Sequence, residues 1–393
     1  MRVLFVNVTR KKYIQTHYHP LAFGYLVSYC EGFGEMFEYS YAERLDKTVL
    51  QNFQPNVIAL TSVSENYNLA RQYAQLAKKT DNKIKVVIGG VHISAIPNSL
   101  DKNMDVGVVG EGEQTFLELL RNNFDVNDKI KGIVYHDGDV LCQTEQRPLV
   151  KPLDAIPHPN RGMFRGIREQ YLFTSRGCPY KCVFCFSSRF WKEVRFHSPR
   201  YVAEEIRQIN RQFQSSHLRI YDDTFVLDTE RVEQIKDLVK DLKLTYSIQA
   251  RANLITEELV KILKEMKVVT VGIGFESHAP KVLEYLQKGN TPKDNQRAVD
   301  ILRKHKIRVH GSFIKDVPIE TKQDLKTTYD FIRQNNIPYD MYRLRGYPGT
   351  PIYDGSEDWD SFAVYRYVPM TVRIKEFLVR TKRLLRTTQT AYS

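Results

Sequence analysis

The 393-residue sequence predicts an α/β protein in two parts, a doubly wound Rossmann-like parallel sheet followed by a partial (β/α)6 barrel. Three observations carry that expectation. The length exceeds the roughly 250–300 residues at which single hydrophobic cores stop growing. Short apolar runs alternate with helical periods up to about residue 125, and the alternation restarts near residue 168. Between the two series lie a hairpin signal and the prolines 152, 157 and 159. The expected division is 1–125, a linking segment with a hairpin over 126–167, a barrel over 168–355 and a short helical C-terminal extension over 356–393.

In the first part, Val3 to Val8 reads as a buried strand and Leu21 to Cys30 as a helix. Val57 to Thr61 is a strand, and Asn66 to Lys79 places Leu69, Ala70, Tyr73, Ala74 and Ala77 at helical spacing. Lys85 to Ile88 is a strand closed by Gly89-Gly90, and Asp105 to Val109 is another. A helix through Phe116 and Leu120 follows Gly110-Glu-Gly-Glu113. In such sheets ligands bind outside the carboxyl ends of the strands, so the loops after Val8, Thr61, Ile88 and Val109 are the candidate shelf. Ile133 to Leu141 reads as a hairpin around Asp137-Gly138.

In the second part the predicted strands are Tyr171–Ser175, Leu218–Tyr221, Thr245–Ala250, Val268–Phe275, Ile307–Ile314 and Tyr339–Leu344. Helices are predicted over Pro199–Gln212, Glu230–Leu242, Glu257–Met266, Ala279–Leu286 and Lys322–Gln334. Six units are too few for a complete eight-fold barrel.

Composition excludes several classes. A hydrophobic content of 42% and a charged content of 26% are ordinary for a globular protein. Five cysteines, three of them clustered, form no even disulfide framework, which favours a reducing, cytoplasmic setting. The apolar N-terminal run is too short for a secretory signal, and no segment approaches the roughly 18 apolar residues of a membrane span. The net charge of +12 favours an anionic partner in general terms. Its one concentration, Arg373, Lys375, Arg380, Lys382, Arg383 and Arg386 among apolar residues, fits a basic amphipathic helix, either packed on the domain or touching a membrane or nucleic acid.

The chemistry is carried by Cys178, Cys182 and Cys185, a C-x-x-x-C-x-x-C run within Arg176 to Phe186. A structural zinc site wants four closed ligands, and Cys30 and Cys142 lie far away in sequence. A four-iron cluster, ordinarily held by four thiolates, would have three protein ligands here and one iron open. A zinc site completed by His197, or simple buried thiols, are the plainer readings. The run Arg176-Gly-Cys-Pro-Tyr-Lys-Cys-Val-Phe-Cys-Phe186 resembles the signature of radical S-adenosylmethionine (SAM) enzymes. The runs His19 to Tyr25, Ile88 to Pro97 and Val109 to Thr115 resemble the cobalamin-binding domain fused to many of those enzymes. The cobalt-ligating D-x-H-x-x-G pattern is not present after the first strand, where the run is Asn7 to Tyr13.

That resemblance implies a [4Fe-4S] cluster on the three cysteines, SAM on its open iron and cobalamin in the first domain. Phe184, Arg251, Glu276, Ser277 and Gly311 correspond to SAM-contacting positions, and Gly89, Gly90, Gly110, Glu111 and Gly112 to cobalamin-contacting ones. Asp222 and Asp223 are read either as a helix cap or as substrate or SAM contacts. Asp316 and Ile319 stand where relatives usually carry glycine, which puts that loop's geometry in question. Tyr347 to Tyr353 reads as a rigid turn at Pro348-Gly349. The implied activity is reductive SAM cleavage and hydrogen abstraction from an unactivated carbon, with methyl transfer from cobalamin. The alternative is rearrangement, cyclisation or bond formation without methyl transfer. The expected partners are a small-molecule, lipid or peptide substrate, with the net charge favouring an anionic one, and a reductase such as flavodoxin or ferredoxin; nucleic acid is not expected. No residue is assigned a catalytic role from the sequence.

Overall fold

The computed structural model describes residues 1–9, 20–164 and 170–362. The first part comprises β1 (Arg2–Asn7), α1 (Leu21–Gly32), β2 (Glu38–Ala42), α2 (Lys47–Phe53), β3 (Val57–Thr61), α3 (Tyr67–Thr80) and β4 (Lys85–Gly89). It continues through α4 (Val91–Ala95), β5 (Val106–Val108), α5 (Glu113–Arg121), β6 (Ile133–Asp137) and β7 (Val140–Gln143). These strands form one seven-stranded sheet in the order β2-β1-β3-β4-β5-β6-β7, parallel as far as β5. Successive side chains of a strand face opposite sides, and both sides are buried. Val3, Phe5, Val57 and Ala59 pack with α1 and α5. Leu4, Val6, Ile58 and Leu60 pack with α3 on the other side.

Three elements here escaped the sequence reading, β2, α2 and the short α4. β2 is a half-exposed edge strand with the polar run Glu-Tyr-Ser-Tyr-Ala, and α2 buries only Leu50. The linking segment differs as well. Its hairpin is joined to β5 and extends the first sheet, and Gly138-Asp139 forms the turn, since Asp137 pairs with Val140.

The second part comprises β8 (Gln170–Leu172), β9 (Ser175–Arg176), α6 (Ser187–Trp191), β10 (Arg195–Phe196), α7 (Pro199–Phe213), β11 (His217–Ile220), α8 (Thr229–Val239) and β12 (Thr245–Ala250). There follow α9 (Glu257–Glu265), β13 (Val268–Glu276), α10 (Pro280–Tyr285), α11 (Pro292–Lys304), β14 (Arg308–Lys315), α12 (Lys322–Gln334) and β15 (Tyr339–Arg343). Six parallel strands in the order β15-β14-β13-β12-β11-β8 make the open barrel sheet.

The expected single strand over 171–175 is broken in two. Asp222 explains the break: its carboxylate accepts from the Thr174 amide at 2.6 Å, the Ser175 hydroxyl at 2.8 Å and the Ser175 amide at 3.3 Å. Those backbone donors are thereby satisfied without a strand neighbour, and β9 turns away to pair with β10. The helix α11, missed in the sequence, carried a readable signal. Thr291 and Asp294 form a capping box with Pro292 in the first turn. A last short helical turn, Trp359–Phe362, returns to the first sheet, where Trp359 packs against His92 at 4.7 Å. The basic helix expected from Arg373 onward lies outside the described residues.

Candidate functional site

A cavity of about 510 Å³ opens between the two parts. The strand ends of the first sheet form one wall: Asn7 to Thr9, Thr61 to Val63, Gly89 to Val91 and Gly110 to Glu113. Phe173, Ser175, Arg176, Phe190, Trp191, Tyr221 and Asp223 of the second part form the other. Parallel sheets leave their loops and unpaired backbone groups at these ends, and both sheets turn theirs toward the same space. All five residues expected at cobalamin, Gly89, Gly90, Gly110, Glu111 and Gly112, line it.

The glycine at position 90 is required by geometry. Its φ is +100°, and an added Cβ would lie 2.9 Å from both the Ser62 carbonyl and the Thr61 hydroxyl. Glu111 contributes differently from the expectation. Its carboxylate is buried and taken up by Arg176 at 2.5 Å, Arg195 at 2.8 and 3.0 Å, and the Val150 amide at 2.9 Å. It therefore ties the glycine loop to the second part, with no lone pair set aside for a ligand. His92 lies off the cavity, bonded to Ser64 at 2.9 Å and Ser99 at 3.1 Å, and burial pushes it down to about 4. No histidine stands among the described lining residues.

The cysteine loop starts one residue after Arg176. Gly177 has φ +99°, and an added Cβ would meet the Glu193 carbonyl at 2.3 Å, so the loop leaves β9 through a fixed bend. Arg189 of α6 holds the loop from behind, donating to the carbonyls of Cys182 at 3.2 Å and Cys185 at 2.7 Å. Cys182 is buried and Cys178 and Cys185 are half-buried. Burial pushes Cys178 up and Cys185 up to about 11. Bare, these two thiols stay protonated, whereas a bound metal centre would take them as thiolates. Among the described residues no three His, Cys, Asp or Glu side chains close round a single ion, as a mononuclear site with metal–sulfur bonds of about 2.3 Å requires. His197, the candidate fourth zinc ligand, is buried against Asp154 at 3.1 Å and stacked on Tyr201.

Of the residues expected at SAM, Arg251 reaches the loop directly. Its Nη1 lies 3.5 Å from Cys182 Sγ, Nη2 donates to the Lys288 carbonyl, and the guanidinium lies 3.5 Å over the Tyr180 ring. Its Nε is buried without a partner among the described residues. Glu276 is buried in an ion pair with Lys288 at 2.9 Å. Phe184 packs on an apolar cluster of Val183, Val282, Leu286, Ile314 and Val317 beside the loop. Ser277 and Gly311 are used internally. The Ser277 hydroxyl accepts from the Ala279 amide at 3.1 Å and lies 3.1 Å from Thr328 Oγ1. An added Cβ at Gly311 would strike Phe313 at 2.6 Å, so that position serves close packing. Lys288, noted in the sequence only as part of the Lys288-Gly289 run that relatives share, turns out to be the partner of Glu276.

Asp222 is the buried clamp described above, while Asp223 faces the cavity and accepts from Ser187. Asp316 adopts φ +63°, the left-handed conformation a glycine would supply and one that Asp tolerates. Its amide donates to Glu320 at 2.9 Å, and Thr321 caps α12. The Pro348-Gly349 turn packs on the cysteine loop, since an added Cβ at Gly349 would overlap Phe186.

Both cofactor groups fit what is present. Three thiols share one loop beside two guanidinium groups. In the cavity, Tyr25 Oη, Asn66 Oδ1 and Glu113 Oε2 are buried without partners among the described residues, which suits a ligand rimmed with amide donors such as a corrin.

Comparison with known proteins agrees with this geometry. Residues 172–332 match the radical SAM superfamily and residues 11–120 the B12 binding domain. An uncharacterized methyltransferase of Pyrococcus horikoshii is 31% identical over 323 residues, 78% of this chain and 70% of that protein. The anaerobic magnesium-protoporphyrin IX monomethyl ester cyclase of Cereibacter sphaeroides is 25% identical over 71% of this chain and 49% of its own length. The cobalamin-dependent radical enzyme OxsB, solved with aqua-cobalamin bound, superposes with a TM-score of 0.73 over 86% of this chain and 53% of OxsB, at 20% identity. The chain thus spans only about half the length of these last two proteins. The two domains define an iron–sulfur enzyme that uses SAM. The chain belongs to the family of radical SAM enzymes that carry a cobalamin-binding domain, with a [4Fe-4S] cluster, SAM and cobalamin as cofactors.

Proposed function

We propose that the protein is a cobalamin-dependent radical SAM methyltransferase acting on an unactivated carbon, with Cys178, Cys182 and Cys185 holding the cluster. One observation carries this reading: the glycine loops of the B12-type sheet and both flanks of the cysteine loop wall a single cavity. When bound, the cofactors supply a SAM-derived radical and a transferable methyl group. The chain's residues supply the rest. Arg251 and the Lys288–Glu276 pair put fixed charges beside the open side of the loop, suited to the carboxylate and ammonium of SAM. Phe184 and its apolar neighbours exclude water. The loops at Gly89-Gly90 and Gly110 to Gly112 let a corrin approach the backbone, with Glu111 holding the second of them.

Charge at the cavity refines the expected substrate. Glu111 is matched by Arg176 and Arg195, and Glu113 by Arg176, whereas Asp223 meets only a hydroxyl among the contacts described. A substrate group that donates hydrogen bonds fits beside Asp223 better than an anionic one, despite the net positive charge of the chain. A low-potential flavodoxin or ferredoxin is the proposed electron donor. Among the described residues no helix is long and apolar enough to cross a membrane.

The relation to the cyclase supports a second reading, ring closure without methyl transfer. Anaerobic reconstitution with iron, sulfide, hydroxocobalamin and SAM separates the two. Methylation yields S-adenosylhomocysteine and a product heavier by one methylene; 5′-deoxyadenosine with a product lacking that gain would leave cyclisation standing. A reconstituted protein with no corrin absorbance would sink the methyltransferase reading.

A further inference from the structure

The cysteine loop is anchored at both ends in the wall of the cobalamin cavity. Before it, Arg176 lines the cavity; after it, α6 contributes Phe190 and Trp191. Arg176 is also gripped by the glycine loop, with Nη1 on Glu111 at 2.5 Å and Nη2 on Glu113 at 2.6 Å. Arg195, the antiparallel partner of Arg176 across β9 and β10, forks onto the same Glu111. Trp191 lies under both guanidinium groups, at 5.3 and 5.8 Å. Two carboxylates thus meet two guanidinium groups in a buried network. Arg176, Glu111 and Glu113 all border the cavity, so the strength of their pairing depends on what fills it.

We infer that Glu111 is a positioning residue that couples the two cofactor sites, so that a corrin in the cavity and a cluster on the cysteine loop each tighten the other. The inference rests on the cobalamin reading above. A corrin displacing water from this wall lowers the local dielectric and strengthens the pairs that fix Arg176. Glu113 Oε2, without a partner among the described residues, would be available to an amide donor of such a ligand. Arg176 is bonded directly to the rigid bend at Gly177, so fixing its side chain fixes the start of the loop, two residues from Cys178. In the other direction, a cluster that orders the loop presents Arg176 and Trp191 in the corrin-bound arrangement. Such coupling is a difference in binding free energy and is reciprocal.

The test uses the full-length protein, loaded with its cluster or stripped of iron under reductant, with hydroxocobalamin as the probe. Corrin binding is read by absorbance, and iron loss to a chelator is read separately. In the wild-type protein the cluster tightens the corrin Kd about tenfold, or about 1.4 kcal/mol, and corrin slows iron loss. In Glu111→Gln both cofactors still bind, but the ratio of the two Kd values falls toward one. Arg176→Lys, which keeps the charge and loses the fork, lowers the ratio too and serves if the first variant does not fold. Equal corrin affinity in loaded and stripped wild-type protein overturns the coupling, as does an unchanged ratio in both variants. A wild-type protein that binds no corrin at all overturns the cobalamin reading and the coupling together; that outcome is distinguishable because no bound corrin is seen.

Discussion

The two walls of the cavity are built from the same kind of place, the carboxyl ends of parallel strands, but from different material. The first sheet offers mainly backbone, Gly89, Gly90, Gly110 and Gly112, with Asn66 and Tyr25 beside it and two carboxylates, Glu111 and Glu113, that arginines of the second part take up. The second part offers side chains to its wall, Arg176, Asp223, Phe190 and Trp191 among them, and sets further charges, Arg189, Arg251 and the Lys288–Glu276 pair, around the cysteine loop beyond it. The difference follows the ligands. A large flat macrocycle needs room and close backbone approach, whereas a metal cluster and a zwitterion need fixed charges in a water-poor setting.

The strongest way to break this comparison is at the thiols. Cys182→Ala should abolish the iron–sulfur absorbance and all SAM cleavage while leaving corrin binding weakened but present, measured by iron content and 5′-deoxyadenosine release. Next comes the buried ion pair. Lys288→Met leaves Glu276 unpaired at 6% exposure, and chemical denaturation should show a loss of about 3–5 kcal/mol. Adding Glu276→Gln should recover much of that stability without restoring SAM affinity; full recovery of SAM binding would make the pair purely structural. At the glycine wall, Gly90→Val forces a branched side chain into φ +100° against two oxygens at 2.9 Å. It should cost on the order of 1–3 kcal/mol and weaken corrin binding with the cluster content unchanged.

The most gradual effect is a tilt of stability with pH. His92 is held neutral by burial, with its pKa lowered to about 4, while the unfolded chain takes up that proton near pH 6.5. Between these values the unfolded state binds more protons, so stability falls as pH drops from about 6.5 toward 4. Thermal melts of the metal-free protein over that range should show the slope, and His92→Gln should flatten part of it.

Much of this protein was legible in the sequence because its signals are local. The cysteine spacing, the glycine pairs and the alternation of apolar runs each lie within a few residues. Strands buried on both faces, such as Val57–Thr61, read as continuous apolar runs, and the bounds of β3 and β12 agree with the sequence reading. β2 stayed hidden because an edge strand with a polar run carries little periodicity, and α11 because it is the second helix in one connection. Asp223 lies beside the clamp Asp222, and sequence adjacency could not separate the carboxylate facing the cavity from the one holding β9.

What the sequence determined by itself was chemistry at fixed spacing: three thiols able to share a cluster, glycines able to admit a broad ligand, and the order of two sheets. What only the tertiary structure decided was pairing across distance. Glu111, expected at a ligand and found in the cavity wall, meets Arg176 and Arg195, 65 and 84 residues away. Glu276 meets Lys288, and the hairpin joins the first sheet. The physical reason is that a buried charge must find a countercharge wherever the fold brings one, and nothing in local spacing records which one that will be.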